Sequence, residues 1–294
     1  MHVACAAEGE AYAAHSAAML HSVLEHGSDV AVEYLHGPSF APAWRDGIRA
    51  MVEAGGARIR FWEVPDEEVE GLPVVWPFTV AMWYRIFLPR LVPDADRVLY
   101  LDVDTIAVDA LAPLWELDLT GHWLGAVTNV LEPHFAYRPG DLGLEASAYF
   151  NSGVLLLNLG EMRRDDRTDA LRDYAVSHPD NDWPDQDALN VVLGERRLPL
   201  PPRFNAMNSL RFAQARDVFT PDELREARER PAIRHFEGPK ENKPWHYLCQ
   251  RDLRDAYLAH RAAGPWPEVD LIGFTRVNRV RRIWRQCLTA VRPA

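Results

Sequence analysis

Short apolar runs alternate with longer amphipathic ones through the first third of the chain. "HVACAA" (2–7), "VAVEYLHG" (30–37) and "ARIRFWEVP" (57–65) read as strands. Between them, "AYAAHSAAMLHSVLEHG" (11–27) and "APAWRDGIRAMVEAGG" (41–56) read as helices, each stopped by glycine. This alternation predicts a three-layer α/β domain on a largely parallel sheet. The pattern further predicts a helix over 79–93, strands within 121–129 and 149–159, and helices within 165–178, 184–194 and 249–264. A short strand is expected at 232–236, and the stretch before it, from 199, reads as proline-rich and irregular. The chain has no internal repeat and no phosphate-loop, dinucleotide, zincin or nucleophile-elbow signature.

One apolar run is interrupted. "VLYLDVDTIAV" (98–108) carries Asp102 and Asp104 inside what otherwise reads as a buried strand. Two unpaired carboxylates there would cost several kcal/mol, so either the strand ends at a site or the aspartates hold a cation. Residues two apart on an extended segment point to one side. Paired carboxylates suit hard cations such as magnesium or manganese, which in turn neutralise a diphosphate. In open α/β sheets such ligands lie beyond the carboxyl ends of the strands. The same Asp-x-Asp spacing recurs at 94/96, 180/182 and 185/187, so alone it is more often a solvated turn. The apolar residues on both sides set 102/104 apart.

Composition narrows the class. With 48% hydrophobic and 26% charged residues in 294, the chain reads as an ordinary globular protein. A formal charge of −11 argues against nucleic-acid binding, but the charge is uneven. Residues 1–270 carry −17, whereas the last 24 hold six arginines and no acid. In that tail Phe274, Val277, Ile283, Trp284, Leu288 and Val291 fall near helical spacing among the arginines. The pattern predicts an amphipathic segment that binds an anionic membrane surface. Cys5, Cys249 and Cys287 read as scattered free thiols of a reducing compartment. With neither a signal-peptide pattern nor an 18-residue apolar stretch, the expected place is the cytoplasm, peripheral on the inner face of the cell membrane.

Four motifs then make a resemblance specific. "YRIFLPRLVPDADRVLYLDVDTIAVDALAPLW", "YFNSGVLLLNL", "PDQDALN" and "HFEGPKENKPWH" stand in the order seen in retaining glycosyltransferases of family 8. That family includes bacterial lipopolysaccharide galactosyl- and glucosyltransferases and glycogenin, and the resemblance covers roughly the first 246 residues. It implies a GT-A fold: one Rossmann-like nucleotide-binding domain with a mostly parallel mixed sheet. The catalytic domain would span 1–250, with 251–294 as the helical, basic, membrane-associating segment. The implied reaction moves galactose or glucose, with retention, from a UDP-sugar to a saccharide, such as lipopolysaccharide or another lipid-linked oligosaccharide.

The resemblance also assigns residues. Asp102, Val103 and Asp104 meet the metal-bridged diphosphate, and His235 joins the two aspartates as a metal ligand. A nitrogen ligand leans the site from magnesium towards manganese. Lys243 reaches a donor phosphate; two extra residues between Gly238 and Lys243 keep Lys240 as the alternative. Ala6, Ala7, Glu8 and Tyr12 hold the nucleotide, with Glu8 where relatives usually carry Asp and Tyr12 stacking on uracil. Arg85, amid apolar neighbours, needs an anionic partner and is assigned to the donor. The preceding "VVWPFTV" suggests a more apolar acceptor pocket than in relatives with a histidine there. Asn151 and Asp185 go to sugar hydroxyls and Gln186 to the anomeric face, although Asp185 at a helix start could simply cap it.

Gln186 is a neutral amide and a poor nucleophile, which favours same-face transfer over a covalent intermediate. In that scheme it stabilises charge on the sugar, while the metal and Lys243 stabilise departing UDP. Two rival readings fit less well. Haloacid-dehalogenase-type phosphatases place Thr one residue later than Thr105 stands. A non-catalytic nucleotide-sugar-binding protein at the membrane would have little need of the whole constellation.

Overall fold

The computed structural model describes residues 1–281 except 77, 269 and 270. Among the described residues ten strands follow in chain order: β1 (His2–Ala7), β2 (Ala31–His36), β3 (Arg58–Glu63), β4 (Arg97–Leu101), β5 (Thr105–Ala107), β6 (Leu124–Thr128), β7 (Phe150–Asn158), β8 (Arg197–Pro199), β9 (Ala206–Met207) and β10 (Ile233–His235). Seven form the main sheet in the order β3-β2-β1-β4-β7-β6-β8. β3, β2, β1 and β4 run parallel, joined by right-sized helical crossovers such as Gly9–His26 and Pro42–Ala54. β7 runs antiparallel to both β4 and β6, which makes the sheet mixed.

Both faces of this sheet are covered, and the strand period of two divides the core accordingly. Val3, Cys5, Leu99, Leu101, Val154 and Leu156 pack into one layer. Their neighbours Ala4, Ala6, Val98, Tyr100, Leu155 and Leu157 pack into the other.

Three expectations need correction. The run 98–108 is two strands: β4 ends at Leu101, and β5 belongs to a separate small sheet of order β5-β10-β9. Asp102, Val103 and Asp104 occupy the turn between them, closed by Thr105 donating to the Asp102 carbonyl from its amide (3.1 Å) and its hydroxyl (2.7 Å). The segment 79–93 is a 3-10 helix, Val80–Phe87, followed by a single α-turn, Leu88–Leu91. Pro89 has no amide hydrogen to return to the Arg85 carbonyl, which accepts instead from Leu88. Finally, the stretch read as irregular contains the helix Pro221–Glu229, started by a capping box between Thr220 and Glu223.

The helix Arg251–Ala263 lies against the first helix, where the His15 Nδ1 and Tyr257 hydroxyl meet at 2.7 Å. Residues 276–281 are helical. Ile272, Phe274, Val277 and Val280 are each more than half exposed. The remaining tail positions, Ile283, Trp284, Cys287, Leu288, Val291 and Arg282, Arg285 and Arg292, lie outside the described residues. Among the described residues no helix is long and apolar enough to cross a membrane.

Candidate active site

The turn after β4 and the end of β10 bring two carboxylates and an imidazole together. Ligand atoms of Asp102, Asp104 and His235 lie within 4.8 Å of one another. His235 Nε2 is 3.3 Å from Asp104 Oδ1, and Lys243 Nζ donates to Asp104 Oδ2 at 2.5 Å. Burial resists ionisation of Asp104, yet Lys243 and then His235 outweigh it and hold the carboxyl well below the usual range. Burial likewise disfavours the charged forms of His235 and Lys243, but Asp104 raises both pKa values. Lys240 is exposed, so of the two candidates it is Lys243 that reaches the carboxylates.

Arg85 finds its anions. Its guanidinium is buried over the Tyr100 ring and donates to Asp102 Oδ1 (3.0 Å) and the Ser152 carbonyl (2.6 Å), with Asp185 Oδ2 at 3.5 Å. Burial pushes the Asp185 pKa up; Arg85 opposes this and Asp102 adds to it. At the start of the Pro184–Leu193 helix the Asp185 carboxylate accepts from the Gln186 amide, so it serves the helix end as well as facing Arg85. Asp187 adds a second contact there, its Oδ2 accepting from the Trp183 amide at 3.2 Å.

A directed chain of hydrogen bonds links His235 to Gln186 and beyond. Asp187 is paired with the Arg138 guanidinium and accepts from Tyr149, whose hydroxyl donates to Asp187 Oδ1 at 2.6 Å. The Tyr149 oxygen then accepts from Gln186 Nε2 (3.0 Å), which turns Gln186 Oε1 towards Asn151 Nδ2 (3.3 Å) and the Ser152 amide (3.1 Å). Asn151 Oδ1 accepts from Asn205 Nδ2 (2.8 Å), and Asn205 Oδ1 from His235 Nδ1 (2.9 Å). With Nδ1 donating to Asn205, His235 turns Nε2 towards the two aspartates: protonated, it donates to Asp104, and once that proton leaves it offers the lone pair a metal-ligating histidine needs. Arg138 anchors the far end on Asp187 Oδ2 at 2.6 Å.

Gly153 supplies the room. A Cβ there would stand 2.3 Å from His235 Cε1 and 2.7 Å from Asp102 Oδ2. Gly153→Ala is therefore expected to spread the triad and weaken divalent-metal binding at least about tenfold while the fold survives. Metal titration with a circular-dichroism control checks this; unchanged affinity would mean that the three side chains do not act together.

Of these groups, Arg85, Asp102, Asp104, Asn151, Asp185, Gln186, His235 and Lys243 line a cleft of about 470 Å³. Phe78, Phe135, Trp183 and Phe212 give it an apolar wall, and of the stretch "VVWPFTV" it is Phe78 that reaches it. Ser209, also in its lining, holds a buried hydroxyl with no hydrogen-bond partner among the described residues.

A family model for glycosyl transferase family 8 matches residues 3–249. The chain belongs to that family. Among solved structures, this glycosyltransferase resembles a galactosyltransferase, LgtC, crystallised with donor and acceptor sugar analogs: TM-score 0.78, 28% identity, 96% of this chain and 100% of that one. Its architecture is the expected GT-A fold. General stress protein A of Bacillus subtilis (strain 168) is 29% identical over 231 residues, 76% of this chain and 78% of its own length. A lipopolysaccharide 1,2-glucosyltransferase of Escherichia coli (strain K12) is 28% identical over 237 residues, 78% of this chain and 69% of its own.

Of the positions singled out in the sequence of this glycosyltransferase, Arg85, Asp102, Asp104, Asn151, Asp185, Gln186, His235, Gly238 and Lys243 all line the one cleft. Val103 lies in the turn between the aspartates. Ala6 and Ala7 end β1, the strand next to β4, and Glu8 and Tyr12 stand at the start of the helix that follows; all four lie outside the cleft walls. Sequence reasoning missed Tyr149, Asp187, Asn205, Gly153 and Ser209. Tyr149, Asp187 and Gly153 fall inside quoted motifs; Asn205 carries no local signal, because its role is to face His235 from another strand connection.

Proposed function

We propose that this family 8 glycosyltransferase moves a hexose, galactose or glucose, from a UDP-sugar to a saccharide acceptor of lipopolysaccharide type, with retention of configuration. The observation that carries the reading is the Asp102–Asp104–His235 triad with Nε2 directed inward, flanked by Lys243 and Arg85. Two carboxylate oxygens and one imidazole nitrogen fit manganese better than magnesium. Bound there, the ion would supply Lewis-acid stabilisation of the donor diphosphate. Lys243 offers its ammonium to the departing UDP, and Arg85 holds Asp102 and Asp185 in place. Asp185 and Asn151 bind donor hydroxyls, and the lone Ser209 hydroxyl is a further sugar contact.

Gln186 has both ends of its amide engaged, so it acts through its dipole at the anomeric face rather than as a covalent nucleophile. Ala6, Ala7, Glu8 and Tyr12 take the uridine along the edge of β1, with Val103 and Gly238 against the phosphates. The acceptor class rests on the lipopolysaccharide glucosyltransferase relative. The deciding experiment is UDP release from a panel of UDP-sugars with manganese, magnesium or EDTA. Slow manganese-dependent hydrolysis of one UDP-hexose supports the reading. Tight binding without turnover, even with lipopolysaccharide acceptors, would replace it with a nucleotide-sugar-binding protein.

A pH dependence follows from the triad. Because Asp104 outweighs burial and raises the His235 pKa, His235 in the metal-free chain keeps its second proton to a higher pH than an ordinary histidine. The proton and the ion compete for Nε2, so manganese affinity should climb as pH rises through that raised pKa and fall below it. Titrations at pH 6, 7 and 8 test this; a flat profile would remove His235 from the ligand set.

The reading places 1–250 as the catalytic domain and 251–294 as its membrane-associating segment, cytoplasmic and peripheral. The exposed Ile272, Phe274, Val277 and Val280, interleaved with Arg276, Arg279 and Arg281, support it. Sedimentation with anionic vesicles should be reduced severalfold by Phe274→Ser with Val277→Ser, and abolished in neutral vesicles. Equal binding by both forms would place the contact elsewhere.

A further inference from the structure

A second group of metal-ligating side chains lies away from the cleft. His21 and Glu25 sit one turn apart on the Gly9–His26 helix and so share a face; His260 comes from the facing Arg251–Ala263 helix. One ligand atom from each lies within 4.8 Å of the other two. The two Nδ1 atoms are 3.1 Å apart. The Glu25 carboxylate turns one oxygen to each ring, Oε1 at 3.8 Å from His21 and Oε2 at 3.6 Å from His260.

A hydrogen bond between the two rings would account for the 3.1 Å contact. It would not account for Glu25, whose oxygens stand too far from either nitrogen to accept a hydrogen bond. Tetrahedral ligands on bonds of about 2.0–2.1 Å stand about 3.4 Å apart, and the three observed separations fall on either side of that distance. The group also has an entry path. It opens on a surface groove of about 580 Å³ lined by His21, Leu24, Glu25 and Met51, so an ion can arrive with water for its remaining positions. His260 is 11% exposed and His21 23%, which limits how far the rings can swing away.

We propose that His21, Glu25 and His260 bind a zinc-class divalent ion that clamps the first helix to the helix Arg251–Ala263. Two imidazoles with one carboxylate select a borderline ion such as zinc over magnesium or calcium. The first helix starts where β1 ends, so the clamp would tie the helix Arg251–Ala263 to the element that leads out of the main sheet.

The test is zinc binding to the full chain, read by competition with a chromophoric chelator, in wild type, Glu25→Gln, His260→Gln and Asp104→Asn. The expected result is an equivalent of zinc, beyond any held in the cleft, that Asp104→Asn retains and that Glu25→Gln and His260→Gln each weaken at least tenfold. Zinc should also raise the melting temperature of Asp104→Asn, and the double variant Asp104→Asn with Glu25→Gln should lose that rise. Zinc binding that Asp104→Asn abolishes and the other two leave intact would put all the zinc in the cleft and overturn the proposal. So would the absence of zinc binding. Should His260→Gln fail to fold, the half-exposed Glu25→Gln decides alone.

Discussion

Asp104→Asn is expected to lower kcat/KM for the preferred UDP-hexose by about 10²–10³-fold, some 3–4 kcal/mol of transition-state stabilisation. The substitution keeps the shape of the side chain and removes its charge. Two consequences add. The proposed metal site loses one of two carboxylates, and Lys243 and His235 lose the anion that holds them protonated in a buried place. An amide at 104 could also turn its NH2 towards Lys243, repelling the ammonium meant for the leaving group. Steady-state UDP release at saturating manganese, with the fold checked by circular dichroism, measures the loss. Activity within threefold of wild type would mean that the aspartate pair does not carry the reaction.

Asp187→Ala should instead cost the fold, by about 3–5 kcal/mol, because it strips the carboxylate from a buried arginine. Asp187 is fully buried and accepts from Arg138 Nη2 (2.6 Å), Arg138 Nε (3.1 Å) and Tyr149 (2.6 Å). Without it Arg138 keeps only the Asn181 oxygen at 2.7 Å and the more exposed Asp182 at 3.8 Å. Urea unfolding measures the difference, and a cost under about 1 kcal/mol would show that Arg138 finds water or Asp182 instead. The milder Asp187→Asn separates stability from function. An asparagine can donate as well as accept, so the chain from Tyr149 to His235 loses the end that fixes its direction. Metal affinity and turnover should then fall further than stability does.

Stored charge explains why the metal-free site holds together. Asp102 and Asp104 face Arg85, Lys243 and His235, so the carboxylates are paired before any ligand arrives. Lys243 on Asp104 occupies the position from which it could turn to a phosphate, and the ion would take over its partner. The pairing also answers what the interrupted strand at 98–108 required: the strand ends, and the two carboxylates meet positive groups from three other parts of the chain.

The sequence alone determined the strand–helix alternation, because buried parallel strands must be apolar on both faces and their crossover helices amphipathic. It also picked out Asp102 and Asp104, because charge inside an apolar run is costly enough to demand a reason. Four motifs in order identified the family and, with it, nine residues that share one cleft. Tertiary structure alone decided the rest. Whether 98–108 was one strand or two depended on β10, 125 or more residues later, pairing with Thr105–Ala107 to pull the chain into a second sheet. That Asn205 would fix the His235 tautomer, and Asp187 the direction of the whole chain, could not be read locally, since hydrogen-bond direction is set by partners distant in sequence. Gly153 looked like any glycine in a strand until His235 and Asp102 were placed against it, because the reason for a missing side chain lies in what fills its space.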